Sequence, residues 1–362
     1  MNQQRANSPI RVLIVDDSAF MRTAISRMIA SDPNIFIVGT AASGMEALQK
    51  IPSLNPDVIT LDVQMPGLDG LQTLSRIMDE FPRPVIIVSA LTLKDAETTF
   101  SALAAGAFDY VPKELSSTSL DILHLQNDLI AKIKAAADSG LQRDALVIPR
   151  KPTSTVTIAT REASLSPPAI VAIGVSTGGP KALQEILPVL PADLPVPILV
   201  VQHMPSGFTE PFAKRLDSLC SVSVCEAKHG ETIEPGMVYI APAGTHLTVD
   251  RGSSRTTLRL SDKPKNQLHI PSVDVMMHSV ASAFRSLAMG IILTGMGSDG
   301  AQGMKAIHRE GGFTVGQDEL SCTVYGMPRA CAELRILHRV VPLTEIPHEI
   351  LRAMHYRRAS VS

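Results

Sequence analysis

The sequence predicts an α/β protein built from two units, each with a parallel sheet. In the first 125 residues, five short apolar runs alternate with five runs of helical length, a pattern typical of a doubly wound parallel sheet. A stretch with little apolar periodicity, rich in Ser, Thr and Pro, interrupts the alternation at 139–166. The alternation then resumes. We therefore predict one domain over 1–125, a helix end and linker over 126–166, and a second domain over 167–355.

Each element of this prediction has its own signal in the chain. The predicted strands of the first unit are 11–15, 35–39, 57–61, 85–88 and 108–111, and its predicted helices are 18–30, 44–50, 70–80, 94–104 and 119–136. The second unit shows strands at 169–173, 196–202 and 290–294, and helices from about 180, at 210–219 and at 273–285. Short β-like runs between Gly- and Pro-rich turns fill 229–260. The second unit should therefore hold a mostly parallel sheet with a small antiparallel insertion.

Composition excludes several classes of protein. The 362 residues have a formal net charge of −2, which gives no basic excess for nucleic-acid binding. No apolar run approaches the roughly 18 residues that cross a bilayer, and residues 1–9 lack an apolar secretory segment. Four cysteines without a CxxC pair do not form a disulfide framework. We expect a cytoplasmic protein that neither enters the membrane nor binds nucleic acid.

Carboxylates end two strands that are expected to be neighbours in the first unit. Asp16 and Asp17 follow the first strand and Asp62 follows the third, and these strands lie side by side in the order 2-1-3-4-5. Three converging carboxylates suit a hard dication such as Mg²⁺. Ser89 and Lys113, after the fourth and fifth strands, add a hydroxyl and an ammonium. This set suits phosphoryl transfer, with Asp62 as the phosphate acceptor.

A serine follows the first strand of the second unit. Ser176 lies between Gly174 and Gly178, just before a predicted helix. Glycines at these positions permit a sharp turn that exposes the hydroxyl, as in a nucleophile elbow. A phosphate-cradling turn is the alternative, but no GxxxxGK[ST] or GxGxxG motif follows.

A serine nucleophile needs a base and an acid that orients the base. His203 follows the strand 196–202, at the edge where Ser176 is expected, and is the first candidate base; His246, in a turn-rich region, is the second. Asp299 follows the strand 290–294 and a Gly-Met-Gly turn that could aim the Met296 N–H at the reaction centre. The chain order Ser, His, Asp differs from the order Ser, Asp, His of the α/β-hydrolases.

Residues 10–125 resemble a response-regulator receiver domain, which has a flavodoxin-like fold. The resemblance rests on VDDS at 15–18, LDVQMPG at 61–67, VSA at 88–90 and YVPK at 110–113. It implies that a histidine kinase phosphorylates Asp62, and that Mg²⁺ is held by Asp16, Asp17, Asp62 and the backbone of Gln64. It also implies that Ser89 and Lys113 sense the phosphoryl group and that Tyr110 is the aromatic switch. Glu114 departs from the family, which usually has Pro there.

Residues 168–350 resemble the catalytic domain of the chemotaxis protein-glutamate methylesterases, the CheB family. The resemblance rests on GVSTGGP at 174–180, QHMP at 202–205, PSVDV at 271–275, LTGMG at 293–297, DGA at 299–301, QD at 317–318 and GMP at 326–328. A receiver domain in front and a linker between complete the family's arrangement. The resemblance therefore covers nearly the whole chain.

The second resemblance implies an activity and its residues. Ser176 would attack glutamate methyl esters on methyl-accepting chemotaxis receptors, with His203 as base and Asp299 orienting it. The N–H groups of Thr177 and Met296 would stabilise the oxyanion, and the same site would deamidate receptor glutamines without a cofactor. Phosphorylation is expected to loosen the cover that the receiver forms over the active-site cleft.

Three residues depart from the methylesterase pattern, and other readings of the second unit stay open. Leu268 and Ile270 stand where the family commonly has arginines, and Ala243 replaces a common glycine. One alternative is an output domain that binds a receptor or partner without turnover; another is an esterase or protease acting outside chemotaxis. We expect a monomer.

Overall fold

The computed structural model describes residues 8–90, 93–113, 119–139, 166–252 and 255–356. The contacts between Cα atoms divide the chain into two compact units, Met1–Pro149 and Arg150–Ser362. Most of the predicted linker, residues 140–165, lies outside the described residues, as does Glu114. The domain boundaries at 125 and 167 therefore stay predictions.

The first unit is a five-stranded parallel sheet in the order β2-β1-β3-β4-β5, which confirms the predicted α/β class and strand order. Its strands are β1 (Ile10–Val15), β2 (Ile35–Ala41), β3 (Val58–Asp62), β4 (Val85–Ser89) and β5 (Asp109–Pro112). Its helices are α1 (Ala19–Ile29), α2 (Gly44–Leu54), α3 (Gly70–Glu80), α4 (Leu93–Ala104) and α5 (Ser119–Asp138). β3 and β4 are buried along their whole length, because a parallel sheet is covered on both faces.

Side-chain caps fix where several of these helices begin. Ser18 accepts a hydrogen bond from the Met21 N–H at the start of α1, directly after the acidic pair at the end of β1. Asp69 and Gln72 form a reciprocal capping box at the start of α3. These caps satisfy N–H groups that would otherwise lack partners at the helix ends.

The second unit is a seven-stranded sheet in the order β14-β13-β12-β6-β7-β9-β8, and every pairing in it is parallel. Its strands are β6 (Ile170–Val175), β7 (Ile198–Gln202), β8 (Ser223–Glu226), β9 (Met237–Ile240), β12 (Ala288–Ile292), β13 (Phe313–Gln317) and β14 (Arg339–Val341). The antiparallel insertion is the hairpin of β10 (His246–Arg251) and β11 (Thr256–Ser261). The predicted mostly parallel sheet with a small antiparallel insertion is confirmed.

Helices cover this second sheet. They are α6 (Gly179–Ile186), α7 (Thr209–Leu219), α8 (Val273–Phe284), α9 (Ala301–Arg309), α10 (Met327–Glu333) and α11 (Ile346–Ala353). The core includes fully buried side chains of β6, β7 and α8. Among the described residues, no helix combines the length and apolar character needed to cross a bilayer.

Strand register brings three loops to one edge of the second sheet. β6 lies between β12 and β7, with Gly174 beside Ile292 on one side and Val201 on the other. Val175, the last residue of β6, pairs with Gln202, the last residue of β7. The residues that follow these strands therefore emerge together at the carboxyl edge, where open α/β sheets place their ligands.

Candidate active site

Ser176 occupies a tight turn between β6 and α6. Its N–H donates to the Thr294 carbonyl at 3.0 Å, and its carbonyl accepts from the Gly179 N–H at 2.8 Å. Gly178 adopts a φ of +77°, a conformation that residues with a Cβ rarely adopt. The turn leaves Ser176 half-buried at the start of α6.

A second glycine keeps space beside the serine. A Cβ added at Gly295 would lie 2.8 Å from the Ser176 Cβ and would also collide with the Met327 sulfur. The two loops can approach this closely only because residue 295 has no side chain.

His203 lies one residue beyond β7 and reaches the predicted acid. Its N–H donates to the Val175 carbonyl at 3.2 Å, and its side chain is 9% exposed. Its Nε2 is 2.9 Å from the Asp299 Oδ2. Its Nδ1 is buried and has no hydrogen-bond partner among the described residues. Because the carboxylate engages Nε2, Nδ1 is the ring nitrogen that can take a proton from a nucleophile.

Asp299 is held by four donors. Its Oδ1 accepts from the Ser272 hydroxyl at 2.9 Å and from the Asp274 N–H at 3.0 Å, and its Oδ2 accepts from the Val273 N–H at 2.8 Å as well as contacting His203. These residues form the N-terminus of α8, which favours an anion. Burial alone would raise the pKa of Asp299, but the hydrogen bonds from His203 and from the two N–H groups outweigh it and hold the pKa well below its usual range.

Gln202 ties the serine and histidine loops together. Its side chain is buried, and its Nε2 donates to the carbonyls of Ser176 and His203, at 3.0 Å each. Thr294 adds a further link, because its hydroxyl donates to the Thr177 carbonyl at 2.9 Å. The sequence motifs contain both residues, but periodicity could not reveal that their side chains bridge separate strand ends.

The two predicted oxyanion donors lie beside these loops. Thr177 directly follows Ser176, and Met296 directly follows Gly295, which lies against the serine. Within the described part of the chain, neither the Thr177 N–H nor the Met296 N–H donates a hydrogen bond. Such N–H groups beside a nucleophile can stabilise a developing oxyanion.

His246, the second candidate base, has a different environment. It is fully buried at the start of β10, where its Nδ1 accepts from the Ser272 N–H at 3.1 Å and its Nε2 lies 3.0 Å from the Pro264 carbonyl. Both ring nitrogens are engaged with backbone groups, so His246 has no nitrogen left to act as a base.

The acidic pocket of the first unit assembles as the strand order requires. One oxygen from each of Asp16, Asp17 and Asp62 lies within 4.8 Å of the others. The Lys113 Nζ is 2.6 Å from Asp62 and 3.0 Å from Asp16. Burial raises the pKa of Asp62, and the ammonium of Lys113 opposes this shift. The three carboxylates outnumber the Lys113 ammonium that contacts them, and oxygen donors of this kind fit Mg²⁺.

The other predicted receiver residues are Gln64, Ser89 and Tyr110. The Gln64 N–H donates to the Asp62 Oδ1 at 3.0 Å, and Ser89 is buried at the end of β4, where its carbonyl accepts from the Lys113 N–H at 2.7 Å. Tyr110 is buried in β5, with the Lys132 Nζ 5.4 Å from its ring centre. The roles of all these residues remain predictions.

Comparison with known proteins identifies both units. A family described as CheB methylesterase matches residues 171–350, and the response regulator receiver domain family matches residues 12–123. A protein-glutamate methylesterase/protein-glutamine glutaminase of Nitratidesulfovibrio vulgaris is 44% identical over 96% of this chain and 100% of its own length. The chain belongs to the CheB methylesterase family.

A second relative and a solved structure are similar to this chain as well. A protein-glutamate methylesterase/protein-glutamine glutaminase of Pyrococcus abyssi is 44% identical over 96% of this chain and 95% of its own length. The crystal structure of the Thermotoga maritima CheB methylesterase catalytic domain is 40% identical, covers 51% of this chain and 98% of its own, and superposes with a TM-score of 0.50. The predicted family is confirmed for both halves of the chain.

Proposed function

We propose that this CheB-family enzyme is a phosphorylation-activated serine hydrolase that demethylates glutamate methyl esters, and deamidates glutamines, on methyl-accepting chemotaxis receptors. The contact between His203 and Asp299 at the edge of the sheet that carries Ser176 is the single observation that supports this most strongly. It fixes the orientation of a base at the same sheet edge as the Ser176 hydroxyl, which a domain that only binds a partner does not need.

The first half of the proposed reaction acylates Ser176. The Ser176 Oγ attacks the γ-carbonyl carbon while the His203 Nδ1 takes the hydroxyl proton, and the Asp299 carboxylate stabilises the imidazolium through Nε2. The N–H groups of Thr177 and Met296 donate to the oxyanion, each typically contributing about 3 kcal/mol. Collapse of the tetrahedral intermediate breaks the bond to the methoxy group. The leaving oxygen takes the proton from Nδ1, so methanol departs; with a glutamine substrate, ammonia departs.

The second half regenerates the enzyme. Water attacks the acyl carbon and gives a proton to the His203 Nδ1, and the oxyanion again faces the same two N–H groups. The ester bond to Ser176 then breaks and the serine takes back its proton, which releases a free glutamate side chain. Methyl ester and amide thus give the same product, which explains how one site performs both reactions.

The first unit controls this activity through Asp62. A histidine kinase is the proposed phosphodonor, and the Asp62 carboxylate attacks its phosphoryl group. Asp16, Asp17 and Asp62, with the backbone of Gln64, would hold Mg²⁺, which supplies positive charge for the phosphoryl oxygens when bound. The Lys113 ammonium, already 2.6 Å from Asp62, adds charge stabilisation from the protein itself.

Activation follows if the two phosphorylation states of the first unit differ in how they cover the esterase cleft. The unphosphorylated unit restricts receptor access, and phosphorylation shifts the population toward an accessible arrangement. Ser89 and Lys113 are the side chains that would bond the new phosphoryl oxygens, and Tyr110 is the aromatic side chain that would respond.

Methanol release tests the proposed activity directly. The full chain is incubated with a receptor cytoplasmic fragment that carries radiolabelled glutamate methyl esters, and volatile label is counted. We expect the wild type to release label and Ser176→Ala to release none. Label released by Ser176→Ala at the wild-type rate, or none released by the folded wild type, would overturn the assignment.

A further inference from the structure

We infer that His269 is a positioning residue for the base of this hydrolase, an inference that rests on the proposed function. The rings of His203 and His269 are stacked, with their centres 4.0 Å apart and their planes 19° apart. His203 thus has two described supports for its ring, the Asp299 carboxylate at its edge and a second imidazole on its face.

Asp299 and His269 restrict different motions of the His203 ring. The hydrogen bond from Nε2 to Asp299 fixes one point at the ring edge, and the ring can still tilt about that point. Such a tilt would displace Nδ1, the ring nitrogen that is proposed to take the proton of Ser176. A flat neighbour stacked on the ring face opposes the tilt, because tilting loses the contact between the two ring faces. His269 therefore fixes the one angle that Asp299 leaves free.

The loop that carries His269 is itself anchored. The buried His246 bonds the Pro264 carbonyl at 3.0 Å and the Ser272 N–H at 3.1 Å, so one side chain holds both ends of the segment 264–272. Between these ends, the Ile270 carbonyl accepts from the Gly244 N–H at 3.1 Å. Because the backbone on both sides of His269 is held by these bonds, its imidazole can act as a rigid surface for the His203 ring.

The same segment also holds the acid. Ser272, which ends it, donates its hydroxyl to Asp299 at 2.9 Å, and Val273 follows with its N–H at 2.8 Å. Only two residues separate His269, whose ring contacts the face of His203, from Ser272, whose hydroxyl donates to the carboxylate at the ring edge. One anchored stretch, 269–273, therefore contacts both His203 and Asp299.

The stack also suits the charged form of the base. During acylation His203 becomes an imidazolium, and a neutral aromatic face next to a cation is attractive. A flat aromatic ring at position 269 supplies the packing contact, and its neutral form also supplies the attraction; an aliphatic side chain of similar size has no aromatic face to supply either.

Three substitutions in the full chain separate these effects. His269→Leu fills the space without a ring, His269→Phe keeps a flat aromatic ring, and His348→Ala removes an exposed histidine of α11 as a matched control. Receptor-fragment demethylation is measured for kcat and KM at saturating acetyl phosphate and Mg²⁺. We expect His269→Leu to lower kcat roughly 2- to 12-fold with KM changed less than about twofold, and His269→Phe and the control to stay within about twofold of wild type.

Three results would overturn the proposed role of His269. Equal kcat values for His269→Leu and wild type overturn the inference, as does a phenylalanine variant as slow as the leucine variant. A rise in KM with unchanged kcat also overturns it, since that result assigns His269 to substrate binding. The proposed function fails separately, if Ser176→Ala demethylates the fragment at the wild-type rate.

Discussion

Replacing Asp299 by Asn should slow the chemistry far more than it disturbs the fold. The carboxylate oxygen lies 2.9 Å from the His203 Nε2 in a pocket where the two side chains are 13% and 9% exposed. For charge centres about 4 Å apart and an effective dielectric constant of about 20, the imidazolium formed in the reaction gains about 4 kcal/mol from this carboxylate. Loss of that stabilisation lowers kcat about 10³-fold.

The amide introduced by Asp299→Asn also disrupts the hydrogen bonds that the carboxylate accepts. Ser272 and Asp274 donate to one carboxylate oxygen, while Val273 and His203 meet the other. Whichever way the amide turns, its NH₂ faces one of these pairs, which costs about 2 kcal/mol in the free energy of unfolding.

The assay compares Asp299→Asn with Asp217→Asn. Asp217 accepts a hydrogen bond from the Val224 N–H at 2.7 Å and so controls for the loss of an aspartate that bonds a backbone N–H. Initial rates of methanol release are measured at saturating receptor fragment, with hydrogen exchange of the β6 and β12 amides as the check on folding. An Asp299→Asn enzyme that is folded and within threefold of the wild-type kcat would refute the electrostatic reasoning.

Two further predictions concern the receiver pocket and the serine turn. Asp62→Asn should keep the basal rate of methanol release and lose the increase caused by acetyl phosphate and Mg²⁺, because the phosphate acceptor is gone; an undiminished increase would contradict that role. Gly295→Ala should lower kcat and destabilise the second unit by about 1–3 kcal/mol, because the new methyl group would lie 2.8 Å from the Ser176 Cβ. Methanol release measures the change in kcat, and local hydrogen exchange measures the change in stability. An alanine variant equal to wild type in both would show that the turn can accommodate the methyl group.

Most of the fold follows from apolar periodicity. The helix 70–80 begins and ends where the sequence predicts. A capping box and a glycine define its start. The predicted strand 290–294 instead spans Ala288–Ile292. The Leu293 N–H still bonds the Gly174 carbonyl of β6, but the Thr294 carbonyl already accepts from the Ser176 N–H in the turn that follows β6. Boundaries at a functional edge depend on contacts with other strands, which local patterns do not contain.

The short strands β8 and β14 show the same limit. β8 has four residues and β14 three, and each pairs with one neighbour at an edge of the sheet. Runs of this length carry too little periodicity to distinguish a strand from a loop. Their positions depend on the strands beside them.

The candidate site could be predicted as far as its strand ends. Ser176, His203 and Asp299 follow three adjacent parallel strands, so topology places the strand ends before them at one edge. Topology does not determine which imidazole nitrogen meets the carboxylate, nor the stacking of His269 on the base. Those details depend on side-chain angles and on a loop whose anchor, His246, is more than 20 residues distant from His269 along the chain.

Covalent labelling of the serine tests the central claim most directly. A fluorophosphonate ester phosphonylates an activated serine, forming an O–P bond and releasing fluoride while the base takes the proton. Intact mass and peptide mapping of the labelled full chain should find one adduct, on the peptide that contains Ser176, and His203→Ala should slow its formation at least about 100-fold. An adduct on a different residue, or a labelling rate that does not depend on His203, would contradict the account.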